Sequence, residues 1–568
     1  MLKKVLTYFL KGNTVLSILT ILIGTVVWSL VSVRNGLYYQ GEVYYWGPQA
    51  HDGLWHVALI QSLARGTMEN PVFSGEVIKN YHLGFDLILS AVNRITGIPA
   101  ATLYFRVTPP IFALLIGLLG YKLALLLSNS VKSAILATFF IYFGGSLGWV
   151  VNLVRTGEWG GESMFWSMQS VSTLINPPFA LSLMILFGVL GYLAGKKTLS
   201  KGQIFIVSIS LALLFEVKAY AGVLMTASFF ILGLYRIIFT KDRSYLIISL
   251  FSALLIFLLT ILFRIESQKL FVFYPFWFLE MMMLFHDRLN WVKFFQAMTA
   301  YKATGLYLKW LIFSSIAFVI FLLGNLSLRI AGFVFFLRKD RNVGNGVTGL
   351  IAVAILMGIV IPLFLLQEGT AWNTIQFFYY SQMLLGICSG IVLYNLVNKA
   401  KNRVFRIVII TLIVGVTMPT AISTLSTYLS PNPSAYVSRY EADGLNFIRS
   451  QNDGLVLSLA PLDVKPPEGK TPVYLHESTA YVSAFSNKPV FYADEVNLII
   501  MNYNFSGRKE YVSKLLTEPN TSEVGKELRK YNITYIYKLK QYGHGLDEEV
   551  LNIKNIFDND VVIVYKVL

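Results

Sequence analysis

A single cysteine, Cys388, stands in 568 residues, and it lies inside an apolar run. One thiol excludes a disulfide framework and a thiolate-held metal centre, and leaves a buried, inert side chain as its reading. Charge is scarce too: 14% of the residues are charged, where a soluble protein carries about 25%. Hydrophobic residues make up 55% of the chain and the mean hydropathy is +0.59, which excludes a soluble globular protein. The net charge of +16 does not mark a nucleic-acid surface, because from residue 431 onward 15 basic residues are matched by 17 acidic ones. The excess lies in short loops between apolar runs, where it sets topology and meets anionic lipid. No internal repeat is visible, which argues against an inverted-repeat transporter.

What is present is a series of apolar runs near the roughly 20 residues needed to cross a bilayer. They fall at 14–33, 103–127, 133–153, 179–193, 204–215, 219–238, 246–263, 308–336, 348–366, 377–397 and 404–425, about eleven spans. The pair meeting at Lys218 is short. The first run follows Lys3, Lys4 and Lys11, exceeds a signal-peptide core and lacks a small-residue cleavage site, so an uncleaved anchor is expected.

Threading these spans sorts the charges. One side receives Lys132; Lys196, Lys197 and Lys201; Arg236, Lys241 and Arg243; Arg338, Lys339 and Arg341; and Lys399, Lys401, Arg403 and Arg406. The other receives Glu42, Asp52, Glu69, Glu76, Asp86, Glu158, Glu162, Glu266, Glu280, Asp287 and Glu368, with His51, His56, His82 and His286. Basic loops stay in the cytoplasm. The expectation is a multi-pass plasma-membrane protein with its N-terminus inside and everything after about residue 430 outside.

Two domains are expected: a transmembrane domain over 1–430, with a large first outer loop at 34–101, and an extracytoplasmic α/β domain over 431–568. Within the first loop, 86–94 has the helical apolar spacing of a segment lying in the interface. The loop at 264–302 is unusually aromatic, as an interfacial belt or as a wall for a long isoprenoid tail. In the tail, strands are expected at 455–459, 490–492, 533–537 and 561–567, and helices at 442–450, 508–516 and 523–531.

The densest polar cluster is His51-Asp52-Gly-Leu-Trp-His56, followed by Glu69-Asn70 and Asn80-Tyr81-His82. A helix starting near Asp52 puts 52 and 56 on one face, with Trp55 and Leu59 beside them. Asp52 then reads either as a helix N-cap or as a general base flanked by histidines. The spacing of His51, His56 and His82 matches no zinc signature, so no metal ligands are assigned and a divalent-metal cofactor is left open. Glu216-Val-Lys218 sits among apolar residues, where charge is costly unless it faces a cavity or partner; a helix break there would let both line a site, and snorkelling is the alternative. Asn176-Pro177-Pro178 reads as a capped turn. The turn from Gln367 to Gln376 is richer, and Trp372, Asn373 and Gln376 offer amides plus a stacking face, as a sugar ring requires. Glu158 and Glu162 could add carboxylates or belong to a flexible glycine-rich loop.

An anchor span, a large first loop with an early Asp and Tyr81-His82, about ten further spans and a small outer α/β tail together resemble the GT-C superfamily of polytopic membrane glycosyltransferases. The tail is similar to those of prokaryotic members in Tyr481-Val-Ser-Ala-Phe485, Lys488-Pro-Val490, Leu528-Arg-Lys-Tyr531 and the terminal Val561–Val567 run. The oligosaccharyltransferase Trp-Trp-Asp motif is absent, and His51-Asp52-Gly53 stands where protein O-mannosyltransferases carry Asp-Glu. The resemblance implies transfer of a sugar from a polyprenyl-phosphate-linked donor to a glycan, lipid or protein acceptor outside the cytoplasm, usually with inversion. In that reading Asp52 is the base, Lys218 and Arg106 bind the carrier phosphate with Arg264 a poorer candidate, and His56, Tyr81, His82, Trp372, Asn373 and Gln376 contact substrate. The partners are then the lipid-linked donor and membrane lipid, with no nucleic acid. A flippase of lipid-linked precursors, or a silent scaffold with this fold, are the competing readings.

Overall fold

Each expected span contains a helix in the computed structural model, as hydrocarbon requires of a backbone that must satisfy its own hydrogen bonds. The structure describes residues 14–196, 198–263, 271–337, 346–368, 370–460, 469–476 and 479–568. Lys3, Lys4, Lys11, Lys197, Arg264, Glu266, Arg338, Lys339 and Arg341 lie outside the described residues. Among the described residues, seven helices are long and apolar enough to cross a membrane. An eighth crossing results if Val131–Phe143 and Gly148–Thr156, bent by 46° across Gly144 and Gly145, count as one. The other three expected spans are helices of 17 residues each, Thr14–Leu30, Pro177–Leu193 and Lys201–Val217. Seventeen is the lower limit for a crossing, so a count of eleven requires all three to cross.

The chain divides into two units. The first takes the described residues of 1–31, 109–261 and 267–429. Its centre is the helix Gln376–Lys399, packed against Val131–Phe143, the 3₁₀ run Ser327–Leu337 and Gly346–Phe364. Lipid tails offer no hydrophobic drive between helices, so close approach through small side chains must supply the contact. A Cβ at Gly390 would lie 2.3 Å from the Cα of Ala137, which makes glycine obligatory at this crossing. Cys388, on the same helix, is fully buried. The aromatic loop is more than a belt. From Phe271 it forms a strand, Phe271–Phe273, paired with Leu365–Gln367, and then the helices Trp277–Leu284 and Val292–Ala303.

The second unit takes the described residues of 32–108, 262–266 and 430–568. One sheet runs Leu37–Tyr39, Glu42–Tyr45, Ala435–Val437, Thr471–Pro472, so two strands of the first loop are continued by two of the tail. The other sheet runs Leu455–Leu459, Ile533–Leu539, Val562–Val567, Ile553–Asp558, parallel at the first pairing and antiparallel thereafter. Helices Arg439–Ser450, Ser506–Thr517 and Ser522–Lys530 stand where the sequence places them. The run 490–492 is not a full strand. Val490 makes one parallel bridge to Val456, while backbone bonds tie the segment to the first loop: Val490 N–H to Pro71 O at 2.9 Å and Ala493 N–H to Val72 O at 3.0 Å.

In the first loop, Asp52–Ala64 is buried from Gly53 through Leu63, because it packs on both Gly84–Thr96 and Tyr481–Ser486. The tail motif at 481–485 thus has a packing reason. Gly84–Thr96 is two-faced: Phe85, Asp86 and Leu89 are buried, while Ile88, Val92 and Ile95 are 49%, 38% and 84% exposed. An apolar face left outward is what an interfacial helix needs.

Candidate functional site

The N-terminus of the helix Asp52–Ala64 is built by a 3₁₀ turn, Gly47–Ala50, that delivers His51 as N-cap and Asp52 as first helical residue. His51 has αR backbone and makes no side-chain cap bond, so the N-cap reading of Asp52 gives way to one in which its carboxylate lies in the first turn. There the unpaired helical N–H groups favour a negative charge. Gly53 is required by space: a Cβ would come within 2.6 Å of Gln49 Oε1 and 2.7 Å of Phe105 Cζ.

Asp52 keeps 45% of its side chain exposed and takes His51 Nδ1 at 2.6 Å from its Oδ1. The other nitrogen of His51 lies 4.0 Å from Oδ1 of Asp494, whose side chain is fully enclosed. Burial alone would weaken proton binding by His51, but the Asp52 hydrogen bond and the charges of Asp494 and Asp52 outweigh it and lift its pKa to about 9. Beside Asp494 opens a cavity of about 90 Å³, lined by Tyr474, His476, Thr479, Tyr492 and Glu495 among others. Burial, and then the positive charge of His51, hold the pKa of His476 below its usual value.

His56 does not share the Asp52 cluster. It is 6% exposed, its Nδ1 lies 2.8 Å from Oδ1 of Asp86, and its ring stacks on Tyr104 with centroids 5.5 Å apart. Asp86 is fully buried, and burial raises its pKa against the opposing pull of His56. Tyr81 is half-buried and meets Trp55 edge-on at 5.7 Å, with the His82 ring tilted against it at 4.8 Å. Arg106, on the π-helical turn Leu103–Val107, donates to the carbonyls of Asn35 at 2.9 Å and Ala101 at 3.4 Å. Those bonds engage its guanidinium with backbone, which makes it a poorer phosphate ligand than the sequence suggests.

In the first unit, the helix break anticipated at Lys218 is present. Lys201–Val217 ends and Ala219–Thr240 begins there, with Lys218 itself extended at φ −157° and ψ 102°. Its ammonium is buried, 3.5 Å from Asn176 Oδ1 and 5.7 Å from the Tyr220 ring centre. Asn176 also caps Pro177–Leu193 by accepting from Phe179 N–H at 3.1 Å. Tyr220 donates to Gln367 Oε1 at 2.5 Å, and the backbone N–H of Gln367 reaches Thr374 Oγ1 at 2.8 Å. The break and the 367–376 turn therefore share one hydrogen-bonded strip. On that turn Gln376 donates to Asn373 at 3.0 Å, and Trp372 is 59% exposed. Glu216 is buried with neither carboxylate oxygen bonded among the described residues. Glu162 is no loose loop residue: it accepts from Gln169 N–H at 2.8 Å, Ser172 Oγ at 2.9 Å and Thr424 Oγ1 at 3.1 Å, tying loop to helix. Glu158 is exposed. Among the described residues, no group of three or more His, Cys, Asp or Glu side chains could hold a metal ion.

Sequence reasoning left Asp86, His476 and Asp494 without roles. Asp86 carried a signal, as an acid inside an apolar helix. Asp494 carried none, because its place beside His51 depends on a fold that joins the two ends of the chain.

No protein-family model matches the sequence, and no curated protein does. Solved structures do match in fold. The Archaeoglobus fulgidus oligosaccharyltransferase, crystallised with a tethered acceptor peptide containing the NVT sequon, superposes with a TM-score of 0.51 at 12% identity, over 92% of this chain and 69% of that one. The arabinofuranosyltransferase AftD from Mycobacteria gives a TM-score of 0.53 at 11% identity, over 98% of this chain and 42% of that one. Over most of its length the chain shares the fold of these two solved structures.

Proposed function

We propose that this chain is a membrane glycosyltransferase that moves a sugar from a polyprenyl-phosphate carrier to an acceptor on the outer face of the membrane, with inversion. The observation that carries the reading is an exposed carboxylate, Asp52, backed by His51 on a chain with the GT-C fold. In the step proposed, the acceptor hydroxyl oxygen bonds to the anomeric carbon as the carbon–oxygen bond to the carrier phosphate breaks. The phosphate leaves with the electron pair, and the hydroxyl proton passes to Asp52. A positioned base contributes roughly 10²–10⁴-fold to such a step.

Charge gathering on the leaving phosphate calls for a fixed cation. Lys218 is the candidate for that role, a buried ammonium set at the break between two helices, with Arg106, bonded to the carbonyls of Asn35 and Ala101, the second. Trp372, Asn373 and Gln376 suit a sugar ring, with an exposed aromatic face next to an amide pair. Tyr81 and His82 are substrate contacts in the same reading. His56, enclosed with Asp86, serves by holding the helix of Asp52 in place.

The test is Asp52→Asn in purified full-length protein, assayed with polyprenyl-phosphate sugars and membrane acceptors. Turnover is expected to fall by roughly 10²-fold or more with carrier binding intact. Near-normal turnover would remove Asp52 as base.

A further inference from the structure

Asp494 lies far from Asp52 in sequence, yet a single imidazole stands between them. His51 Nδ1 is 2.6 Å from Asp52 Oδ1, and His51 Nε2 is 4.0 Å from Asp494 Oδ1. Each ring nitrogen therefore has a carboxylate before it, an arrangement suited to an imidazolium carrying both N–H groups. The two carboxylates differ. Asp52 has 45% of its side chain exposed and Asp494 has none. Asp494 is anchored by Asn497, whose side-chain amide donates to Oδ2 at 2.9 Å and whose backbone N–H donates to Oδ1 at 3.4 Å. A fixed, sealed anion thus stands behind the histidine, and an exposed carboxylate stands in front of it.

We propose that Asp494 is a positioning residue for Asp52, acting through His51: it fixes the ring and keeps it charged, so that the ring holds one oxygen of Asp52 in a set direction. The inference rests on the reading of Asp52 as base, and adds that the tail supplies part of the apparatus. The groups that act on His51 include Asp52 from its own helix, Asp494 from the segment leading into Glu495–Ile500, and His476 following the turn Val473–Leu475. The competing role for Asp494 is purely local, as N-cap of Glu495–Ile500.

Asp494→Asn separates the two roles. Asn caps a helix as well as Asp does, and it tolerates the left-handed backbone found here, φ +58°. The charge is lost, one oxygen remains for the Asn497 backbone N–H, and the Asn497 side chain can turn its own amide oxygen to the new NH2 group. The experiment uses full-length protein in lipid nanodiscs with ¹³C-labelled histidine. Six histidines are present, and His51→Gln identifies the signal of interest. The His51 midpoint is expected to drop by about one pH unit or more in Asp494→Asn, a tenfold loss of proton affinity, and to return toward the original in Asp494→Glu. In a transfer assay with a polyprenyl-phosphate sugar, Asp494→Asn should leave the donor KM unchanged, lower kcat about tenfold and shift the alkaline limb of the pH profile down with the midpoint. An unchanged His51 midpoint in Asp494→Asn overturns the proposal and leaves Asp494 a helix cap. Full turnover in Asp52→Asn overturns the base reading instead, whatever the His51 midpoint does.

Discussion

His56 Nδ1 and Asp86 Oδ1 stand 2.8 Å apart with 8% and 1% of their side chains exposed, a hydrogen-bonded pair sealed between two helices of the first loop. Removing one partner from such a pair costs about 3–5 kcal/mol, because the other is left buried and uncompensated. His56→Leu and Asp86→Leu should each destabilise by that order, and the double substitution by less than their sum. Denaturant unfolding of the four proteins measures the coupling. Additive losses would mean that the two side chains do not act as a pair.

Gly53 sets two rules against each other. Helix propensity says that Ala in place of Gly stabilises by about 1 kcal/mol. The contacts at 2.6 Å and 2.7 Å to Gln49 and Phe105 say the opposite, since overpacking costs about 1–3 kcal/mol. Gly53→Ala should therefore lower the unfolding temperature and reduce turnover by displacing the Asp52 turn. A higher unfolding temperature would show that Phe105 moves aside freely.

Lys218→Met keeps the apolar stem and deletes the charge. It should weaken polyprenyl-phosphate binding by about 1.5–3 kcal/mol, the worth of a charge-assisted hydrogen bond. Glu216→Gln should leave binding intact or improve it, since it removes a nearby anion. Normal carrier binding by Lys218→Met, combined with easier unfolding, would make the lysine structural.

His51 gives the folded state a pH window. Its pKa is raised to about 9 from the ordinary 6.5, so its contribution to stability is complete below about 6.5 and fades as pH climbs through 9. Between pH 7 and 10 the difference in unfolding temperature between the native chain and His51→Gln should shrink. A difference constant across that range would show that the ring is not held protonated.

Orientation can be read chemically. In a Cys388→Ala background, single cysteines at Lys201, Lys241 and Lys401 should resist an impermeant thiol reagent on intact cells, and cysteines at Glu158, Glu368 and Ser506 should react. All six positions are exposed on the folded chain, so burial does not confuse the result. The reverse pattern would invert the protein.

The helices of the membrane unit were legible because hydrocarbon leaves an apolar run few alternatives, and even the break at Lys218 showed as a charge among leucines and a valine. Three tail helices and three strands followed from periodicity in the same way. The cross-chain sheet did not. Pairing between Glu42–Tyr45 and Ala435–Val437 leaves no local mark, because each strand is only three or four residues long and its partner is elsewhere. The same long-range closure places Asp494 beside His51, so half of the polar cluster was invisible. His56 read as a ligand contact because it lies one turn from Asp52; the fold gave it Asp86 instead.

The bond from Gln61 to Ala484 joins residues 423 apart, and that from Arg65 to Asn487 residues 422 apart. A ribosome adding about 5–20 residues per second needs roughly 20–85 s to make the second partner after the first. Throughout that time the helix Asp52–Ala64, apolar on nearly every face, lacks the tail surface that finally covers it. The first loop must therefore wait through the synthesis of nearly the whole membrane unit before its helix can be enclosed. Any mutation that slows completion of the tail lengthens the interval in which that helix is open to capture by chaperones, by proteases or by the lipid surface.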